Sequence, residues 1–215
     1  MNVLILANGE PPTHALLARL AAEHDLFLAV DGAAHAAAAR GVAPDLVTGD
    51  FDSIRLDEAR TAFPNAEFLP TPDQNRTDLE KAFQIARERG ADSGTVAGAA
   101  GRRVDHTLGN LSLLLRWRLD YPDLPVVFVA DGSEVRAVLG ALTLTTGCGD
   151  AVSLLSFDGL ARVTAQGVRW PLRDFPLPVG VGGLLNEAVG SRVTVNAEGG
   201  VILVCHVSAA ARRHE

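Results

Sequence analysis

Residues 46–53 have the sequence LVTGDFDS, a short apolar run that ends in a glycine and two aspartates. The run is too short for a helix, and its valine and threonine favour an extended strand. Similar runs recur on either side of it, at residues 3–7, 26–30, 67–69, 95–97 and 126–129. The sequence therefore predicts a series of short strands, most of them followed by Gly, Asp or Asn.

Helical segments separate these runs. Residues 77–80 have the sequence TDLE, a capping box that begins a helix, and the alanine-rich residues 33–39 predict another. The buried face of a third helix is predicted to consist of Leu108, Leu111, Leu115 and Leu119. Strands that alternate with helices are typical of a parallel sheet covered on both faces. We therefore predict a Rossmann-like α/β domain over residues 1–131.

The pattern changes from about residue 133 onward. Segments 151–157, 192–196 and 201–207 are short and rich in β-branched residues, and glycine-containing turns separate them. No long helical pattern occurs in this part of the sequence. These features predict an antiparallel β-sandwich domain over residues 132–215.

The net charge, the length of the N-terminal apolar run and the motifs that are absent argue against several functional classes. The chain of 215 residues carries a net charge of −7, so a nucleic-acid-binding surface is not expected. The apolar run at residues 3–7 is too short for a signal peptide or a membrane helix, which predicts a cytoplasmic protein without a membrane partner. Neither a Walker A motif nor a GxGxxG motif occurs, so a P-loop kinase or a dinucleotide-dependent oxidoreductase is not favoured.

The polar residues after the predicted strands should lie at one edge of the sheet, where open α/β sheets bind ligands. Asp50 and Asp52 are two residues apart at a strand end, so both carboxylates project to one side and suit Mg²⁺. The alternative is a pair of aspartates that only form a turn. Asp78 and Asp105 at the same edge favour the metal, because clustered like charges repel one another without a cation.

Asp78 and Lys81 each have a simpler explanation as well. An acidic side chain in the first turn of a helix stabilises the helix dipole by roughly 0.3–1 kcal/mol, which would explain Asp78. Lys81, one turn later, is either a solvated surface lysine or a phosphate contact. Arg103, close to Gly101, is a better phosphate ligand, since arginine can bind phosphate through two parallel hydrogen bonds.

Four motifs resemble those of the thiamine pyrophosphokinase family. They are VDG at 30–32, GDFDS at 49–53, DQNRTD at 73–78 followed by EKA at 80–82, and RVDHTLGN at 103–110. Weaker similarity occurs at GVRWPL (167–172) and NE (186–187). The resemblance implies an N-terminal ATP-binding domain and a C-terminal β-sandwich that binds thiamine and forms the dimer. It also implies a homodimer whose active sites are shared between subunits.

The resemblance further implies a thiamine diphosphokinase, which uses Mg²⁺ to transfer a pyrophosphoryl group from ATP to the hydroxyl of thiamine, releasing AMP. The implied catalytic residues are Asp50, Asp52, Asp78 and Asp105, of which the first three would hold the metal. Implied ATP contacts are Asp31, Gly32, Lys81 and Arg103, and the strand-end positions add Asn8, Gly98 and Gly101. The implied substrate contacts are Ser53, Gln74, Thr77, His106, Asn110, Trp170 and Asn186.

Trp170 also has two explanations. The thiazolium ring of thiamine carries a fixed positive charge, which the face of an indole ring attracts by roughly 0.5–2 kcal/mol. The alternative is an aromatic side chain in the sandwich core, anchored by its indole N–H. The family resemblance favours the contact with thiamine.

Five positions depart from the family pattern. Ala33 and His35 replace a glycine and an asparagine, Asn75 an aspartate, Arg102 a glycine, and Leu185 a serine. Two other functions therefore stay open: a pyrophosphokinase for another alcohol, such as a hydroxymethylpterin, and a regulator that binds nucleotide or thiamine without catalysis. A preference for a cationic alcohol would exclude the first, and turnover of ATP would exclude the second.

Overall fold

A computed structural model describes residues 1–51, 55–180 and 182–214. The chain divides into two compact units. The first comprises Met1–Leu113 with Asp123–Ala130, and the second comprises Leu114–Pro122 with the described residues from Asp131 onward. The assignment of ATP binding to one domain, and of thiamine binding and dimerisation to the other, stays a prediction.

The first unit contains a six-stranded parallel sheet. Its strands are β1 (Asn2–Leu6), β2 (Leu26–Val30), β3 (Leu46–Gly49), β4 (Glu67–Pro70), β5 (Ser93–Ala97) and β6 (Val126–Ala130). They are ordered β6-β5-β1-β2-β3-β4, and every pairing between them is parallel. The chain therefore reverses its direction of winding between β1 and β5. A reversal of this kind opens a crevice at the carboxyl ends of the two strands.

Helices connect these strands. They are α1 (His14–Glu23), α2 (Ala33–Ala39), α3 (Leu56–Ala62), α4 (Asp78–Glu88) and α5 (Val104–Asp120). The predicted cap of α4 is confirmed, because the Thr77 hydroxyl accepts a hydrogen bond from the Glu80 amide at 3.2 Å. The core on one side of the sheet includes Leu4, Leu17 and Phe63, all of them buried.

The predicted buried face of α5 is wrong. Leu108 and Leu119 are each 55% exposed, whereas Leu113, Leu114 and Trp117 are buried. The buried face is rotated around the helix axis because packing on the rest of the chain selects it, and leucine spacing alone does not. In the described part of the chain, no helix is long and apolar enough to cross a membrane.

The second unit is built from antiparallel strands. They are β7 (Ser133–Thr145), β8 (Ala151–Ser156), β9 (Arg162–Gln166), β10 (Leu172–Pro176), β11 (Gly183–Glu187) and β12 (Arg192–Val207). Along most of its length β12 pairs with β7, while its first half also pairs with β9 and its second half with β8. The predicted fold class, a parallel α/β region followed by antiparallel β-structure, is confirmed.

Candidate functional site

A cavity of about 530 Å³ lies at the carboxyl edge of the parallel sheet. Five strand ends contribute to its lining: Asn8 after β1, Asp31 after β2, Asp50 after β3, the 73–81 segment after β4 and the 99–110 segment after β5. The polar residues that follow these strands therefore lie together at one edge of the sheet, as the sequence predicts. Because the cavity includes the ends of β1 and β5, it occupies the crevice where the winding of the sheet reverses.

Two of the predicted ATP-site glycines act through close backbone approach. A Cβ atom on Gly32 would lie 2.7 Å from the side-chain nitrogen of Asn8, and one on Gly98 would lie 2.5 Å from the carbonyl oxygen of Ala7. A larger residue at position 98 would therefore displace backbone, whereas one at position 32 would displace the Asn8 side chain. Gly32 and Gly98 thus let Asn8 and its neighbours line the cavity.

Lys81 and Asp78 form an ion pair inside the cavity. The Lys81 side chain is only 8% exposed, and its Nζ lies 2.7 Å from Asp78 Oδ1. The same nitrogen donates to the carbonyl oxygen of Thr71 at 2.8 Å. Lys81 is therefore not the solvated surface lysine that one explanation required. Asp78 is both a first-turn acid of α4 and a cavity residue, so the two explanations for it are compatible.

The other predicted metal ligands are only partly described. Asp50 is exposed and lines the cavity, whereas Asp52 and Ser53 lie outside the described residues. Within the described ranges, no group of three or more His, Cys, Asp or Glu side chains is arranged to hold a metal. Mg²⁺ commonly takes one or two carboxylates and completes its shell with phosphate oxygens and water. The oxygen donors of Asp50 and Asp78 fit that kind of site.

Arg103 and Asp105 form a two-pronged ion pair. Arg103 Nε donates to Asp105 Oδ1 at 3.1 Å and Nη2 donates to Oδ2 at 2.5 Å. This guanidinium lowers the pKa of Asp105 to about 2, with help from the amide N–H of His106. Arg103 and His106 line the cavity, whereas Asp105 is not among the described lining residues. In this arrangement the Asp105 carboxylate orients the Arg103 guanidinium.

The remaining predicted residues of the first unit also take defined positions. Gln74, Thr77 and Gly101 line the cavity, as does Asn110, whose amide nitrogen donates to the carbonyl oxygen of Ala99 at 2.7 Å. Asn110 therefore fixes the loop that follows β5 to the helix α5.

Sequence reasoning did not assign three charged residues that line the cavity, namely Asp73, Arg76 and Arg102. Asp73 Oδ1 accepts hydrogen bonds from the backbone amide of Asn75 at 2.9 Å and from its side chain at 3.0 Å. These bonds, the backbone one foremost, lower the pKa of Asp73. All three residues lie in the segments that follow β4 and β5, so their position after a strand end is the available sequence signal.

Trp170 and Asn186 belong to the second unit and are hydrogen-bonded to each other. Asn186 is buried; its Oδ1 accepts from the Trp170 amide at 3.1 Å, and its Nδ2 donates to the Trp170 carbonyl oxygen at 2.7 Å. The indole is 55% exposed, and the Arg169 guanidinium lies 5.1 Å from its ring centre. The alternative of a core aromatic is therefore wrong for this chain. The contact of both residues with thiamine stays a prediction.

Comparison with known proteins identifies the family of this chain. The model of the thiamin pyrophosphokinase catalytic domain matches residues 17–128. The chain belongs to the thiamin pyrophosphokinase family. The matched residues carry the cavity segments that follow β2, β3, β4 and β5, whereas Asn8 precedes them and Trp170 and Asn186 follow them.

Two relatives illustrate the extent of the similarity. Thiamine pyrophosphokinase of Bacillus subtilis is 35% identical over 96 residues, which cover 44% of this chain and 45% of the relative. Thiamin pyrophosphokinase 1 of Caenorhabditis elegans is 32% identical over 147 residues, which cover 64% of this chain and 58% of the relative. The chain thus matches about half of the length of these family members.

Solved structures of the family share the fold over nearly the whole chain. A crystal structure of the Bacillus subtilis enzyme superposes with a TM-score of 0.85 at 22% identity, covering 97% of this chain and all of that one. The Candida albicans enzyme gives a TM-score of 0.80 at 18% identity, covering 96% of this chain and 89% of that one. The architecture of this family member is therefore that of both solved enzymes.

Proposed function

We propose that this chain transfers the pyrophosphoryl group of ATP to the hydroxyl of thiamine, producing thiamine diphosphate and AMP. The observation that carries the proposal is the cavity of the family's catalytic segment, which brings carboxylates and cations together at the carboxyl edge of the sheet. Phosphoryl-type transfer needs positioning and neutralisation of charge more than covalent chemistry from the protein. The cavity offers both.

The cations of the cavity would bind the polyphosphate. Lys81 is fixed by the carboxylate of Asp78 and the carbonyl of Thr71, so little side-chain entropy is left to lose when a phosphate oxygen binds. Asp105 accepts from Nε and Nη2 of Arg103 and so orients the guanidinium, whose remaining N–H groups on Nη1 and Nη2 can donate to phosphate. Both positive charges are in place before the nucleotide arrives.

Asp50 and Asp78 are the described carboxylates that would hold Mg²⁺, and Asp52 is the third proposed ligand. Bound Mg²⁺ supplies positive charge that offsets the polyphosphate and orients its oxygens. In the transfer itself, the thiamine hydroxyl oxygen bonds to the β-phosphorus while the bond between that phosphorus and the α–β bridging oxygen breaks. AMP leaves with the bridging oxygen, and a cavity carboxylate accepts the hydroxyl proton.

Trp170 would contact the thiazolium ring of thiamine. Its exposed indole already has one cation, Arg169, 5.1 Å from the ring centre, which indicates a face able to bind positive charge. We further propose a homodimer in which Trp170 and Asn186 of one subunit complete the site of the other.

The product of ATP tests this function. Purified protein is incubated with ATP, Mg²⁺ and thiamine, and nucleotides are separated by chromatography; equal amounts of AMP and thiamine diphosphate are expected. A neutral hydroxymethylpterin replaces thiamine in a matched reaction. Formation of ADP, or faster turnover with the pterin, would overturn the proposal.

A further inference from the structure

Arg102 occupies the loop that follows β5 and lines the cavity. Its Nη1 donates to the side-chain oxygen of Asn8 at 3.2 Å, which joins the loops after β1 and β5. The Asn8 side chain lies close to Gly32, where an added Cβ atom would be 2.7 Å from the Asn8 amide nitrogen. The Arg102 guanidinium is therefore positioned by a side chain that packs against the loop after β2.

The other cations of the cavity contact carboxylates. Lys81 Nζ lies 2.7 Å from Asp78 Oδ1, and Arg103 Nη2 lies 2.5 Å from Asp105 Oδ2. Arg76 Nε lies 4.0 Å from Asp73 Oδ2. Among the described residues, Arg102 contacts a neutral amide oxygen and no carboxylate. Among the described cations Lys81, Arg76, Arg103 and Arg102 of the cavity, Arg102 is thus the one without a carboxylate within 4.0 Å. The positive charge of Arg102 would therefore strengthen the binding of an anionic ligand more than the charges that are paired with carboxylates.

The backbone of Arg102 has an unfavourable conformation. Its φ angle is +54°, in the left-handed region that glycine adopts readily and that L-residues with a Cβ atom adopt at a cost. Glycine would fit this backbone better, yet the position holds a long charged residue. Residues held in such conformations persist where the surrounding structure maintains them, and they cluster at functional sites.

We propose that Arg102 binds the polyphosphate of the nucleotide and favours triphosphate over monophosphate, with Asn8 as its positioning residue. This inference rests on the proposed nucleotide chemistry of the cavity. A triphosphate carries more negative charge than a monophosphate, so a cation without a carboxylate partner strengthens its binding more. Because AMP is a monophosphate, Arg102 also favours the binding of the ATP substrate over the binding of the AMP product.

Two substitutions separate charge from strain. Arg102→Gln keeps a hydrogen-bond donor for Asn8 but removes the charge, and Arg102→Gly removes both and suits the left-handed backbone. Binding of a non-hydrolysable ATP analogue, of AMP and of inorganic tripolyphosphate is measured by titration calorimetry without thiamine. Arg19→Gln, which removes an exposed positive charge on α1, is the matched control.

Both Arg102 variants should bind the ATP analogue and tripolyphosphate roughly 10-fold or more weakly, as loss of a charge-assisted hydrogen bond implies, and AMP nearly as well as the wild type. Arg102→Gly should also unfold at a higher temperature. Triphosphate affinity within twofold of the wild type in Arg102→Gln would overturn the inference, and so would an equal loss for AMP. A lower unfolding temperature in Arg102→Gly, with unchanged binding, would make Arg102 a structural link only.

A double-mutant cycle tests the role of Asn8. If Asn8 positions the guanidinium, Asn8→Ala weakens triphosphate binding in the wild type but has little further effect in Arg102→Gly. Additive losses would contradict the positioning role. Because these measurements use no thiamine, wild-type protein that binds triphosphate but fails to turn over thiamine would refute the proposed function and leave the role of Arg102 open to the same test.

Discussion

Lys81 Nζ lies 2.7 Å from Asp78 Oδ1 and donates to the Thr71 carbonyl oxygen, so one nearly buried ammonium group joins helix α4 to the loop after β4. The pair places a positive and a negative charge side by side on the wall of the cavity. This arrangement makes Asp78 important for stability as well as for the proposed chemistry, and the two contributions can be measured separately.

Asp78→Asn should abolish turnover and also lower the free energy of unfolding by about 1–3 kcal/mol, because the buried Lys81 loses its charged partner. Glu80→Gln removes the other acidic charge of the first turn of α4 and is expected to cost at most about 1 kcal/mol through the helix dipole. Chemical denaturation and an AMP-release assay give the two quantities. Equal, small effects of both substitutions would mean that Asp78 acts on the dipole alone.

The acid titration of Asp105 should report its contact with Arg103. The pKa of Asp105 is about 2, below its ordinary value near 4, so the stability that its carboxylate contributes is fully present above about pH 4. That contribution is lost as the pH falls from about 4 towards 2. Arg103→Gln should return the pKa of Asp105 towards its ordinary value, which carboxyl-carbon NMR can follow.

Turnover and nucleotide binding give a second test of the contact between Asp105 and Arg103. If Asp105 orients Arg103, Asp105→Asn should lower kcat and weaken nucleotide binding while changing thermal stability little, since both side chains are exposed. An unchanged turnover in Asp105→Asn would contradict the orienting role.

Removing a proposed metal ligand should uncouple Mg²⁺ from nucleotide binding. A ligand at 100 times its Kd stabilises a protein by about 2.7 kcal/mol, so ATP with Mg²⁺ should raise the unfolding temperature of the wild type more than ATP with a chelator. In Asp50→Asn this difference should largely disappear. Asp123→Asn changes an exposed acid in another loop and is the control. If Asp50→Asn responds to Mg²⁺ as the wild type does, Asp50 only forms a turn and does not bind the metal.

Most of the parallel sheet could be predicted from the sequence. The predicted run at 26–30 coincides with β2, because a buried parallel strand is short and continuously apolar. The run at 67–69 covers most of β4, a strand that is only partly buried. The meeting of their polar ends in one cavity followed from the geometry of parallel strands. Neither inference needed knowledge of side-chain packing.

Other features depend on packing and could not be predicted. The sequence predicts two strands at residues 192–196 and 201–207, but these residues form the single strand β12, with a register shift between Ala197 and Ile202. Glycines permit a bulge as readily as a turn, and pairing with β7 on both sides of the shift decides between them. The left-handed backbone of Arg102 agrees with the glycine that the family pattern has at this position, but the contact of its side chain with Asn8 depends on the packing of two loops.

The last prediction concerns the shared site. Trp170→Ala should weaken thiamine binding far more than ATP binding, since the exposed indole is proposed to meet the thiazolium ring. Arg173→Ala removes an exposed side chain from β10 and is the control. Comparable losses for thiamine and ATP in Trp170→Ala would indicate a general disturbance of the second unit.

Mixed dimers then test whether the subunits share sites. In a C2 dimer with shared sites, an Asp50→Asn chain paired with a Trp170→Ala chain forms one site that carries both defects and one that carries neither. At a thiamine concentration too low to saturate Trp170→Ala, the two variants refolded together should therefore be more active than the average of each refolded alone. Exchange is verified by capturing one variant through an affinity tag and detecting the other. If exchange is complete and activity equals the average of the separate preparations, Trp170 acts within its own subunit, and the proposed sharing is wrong.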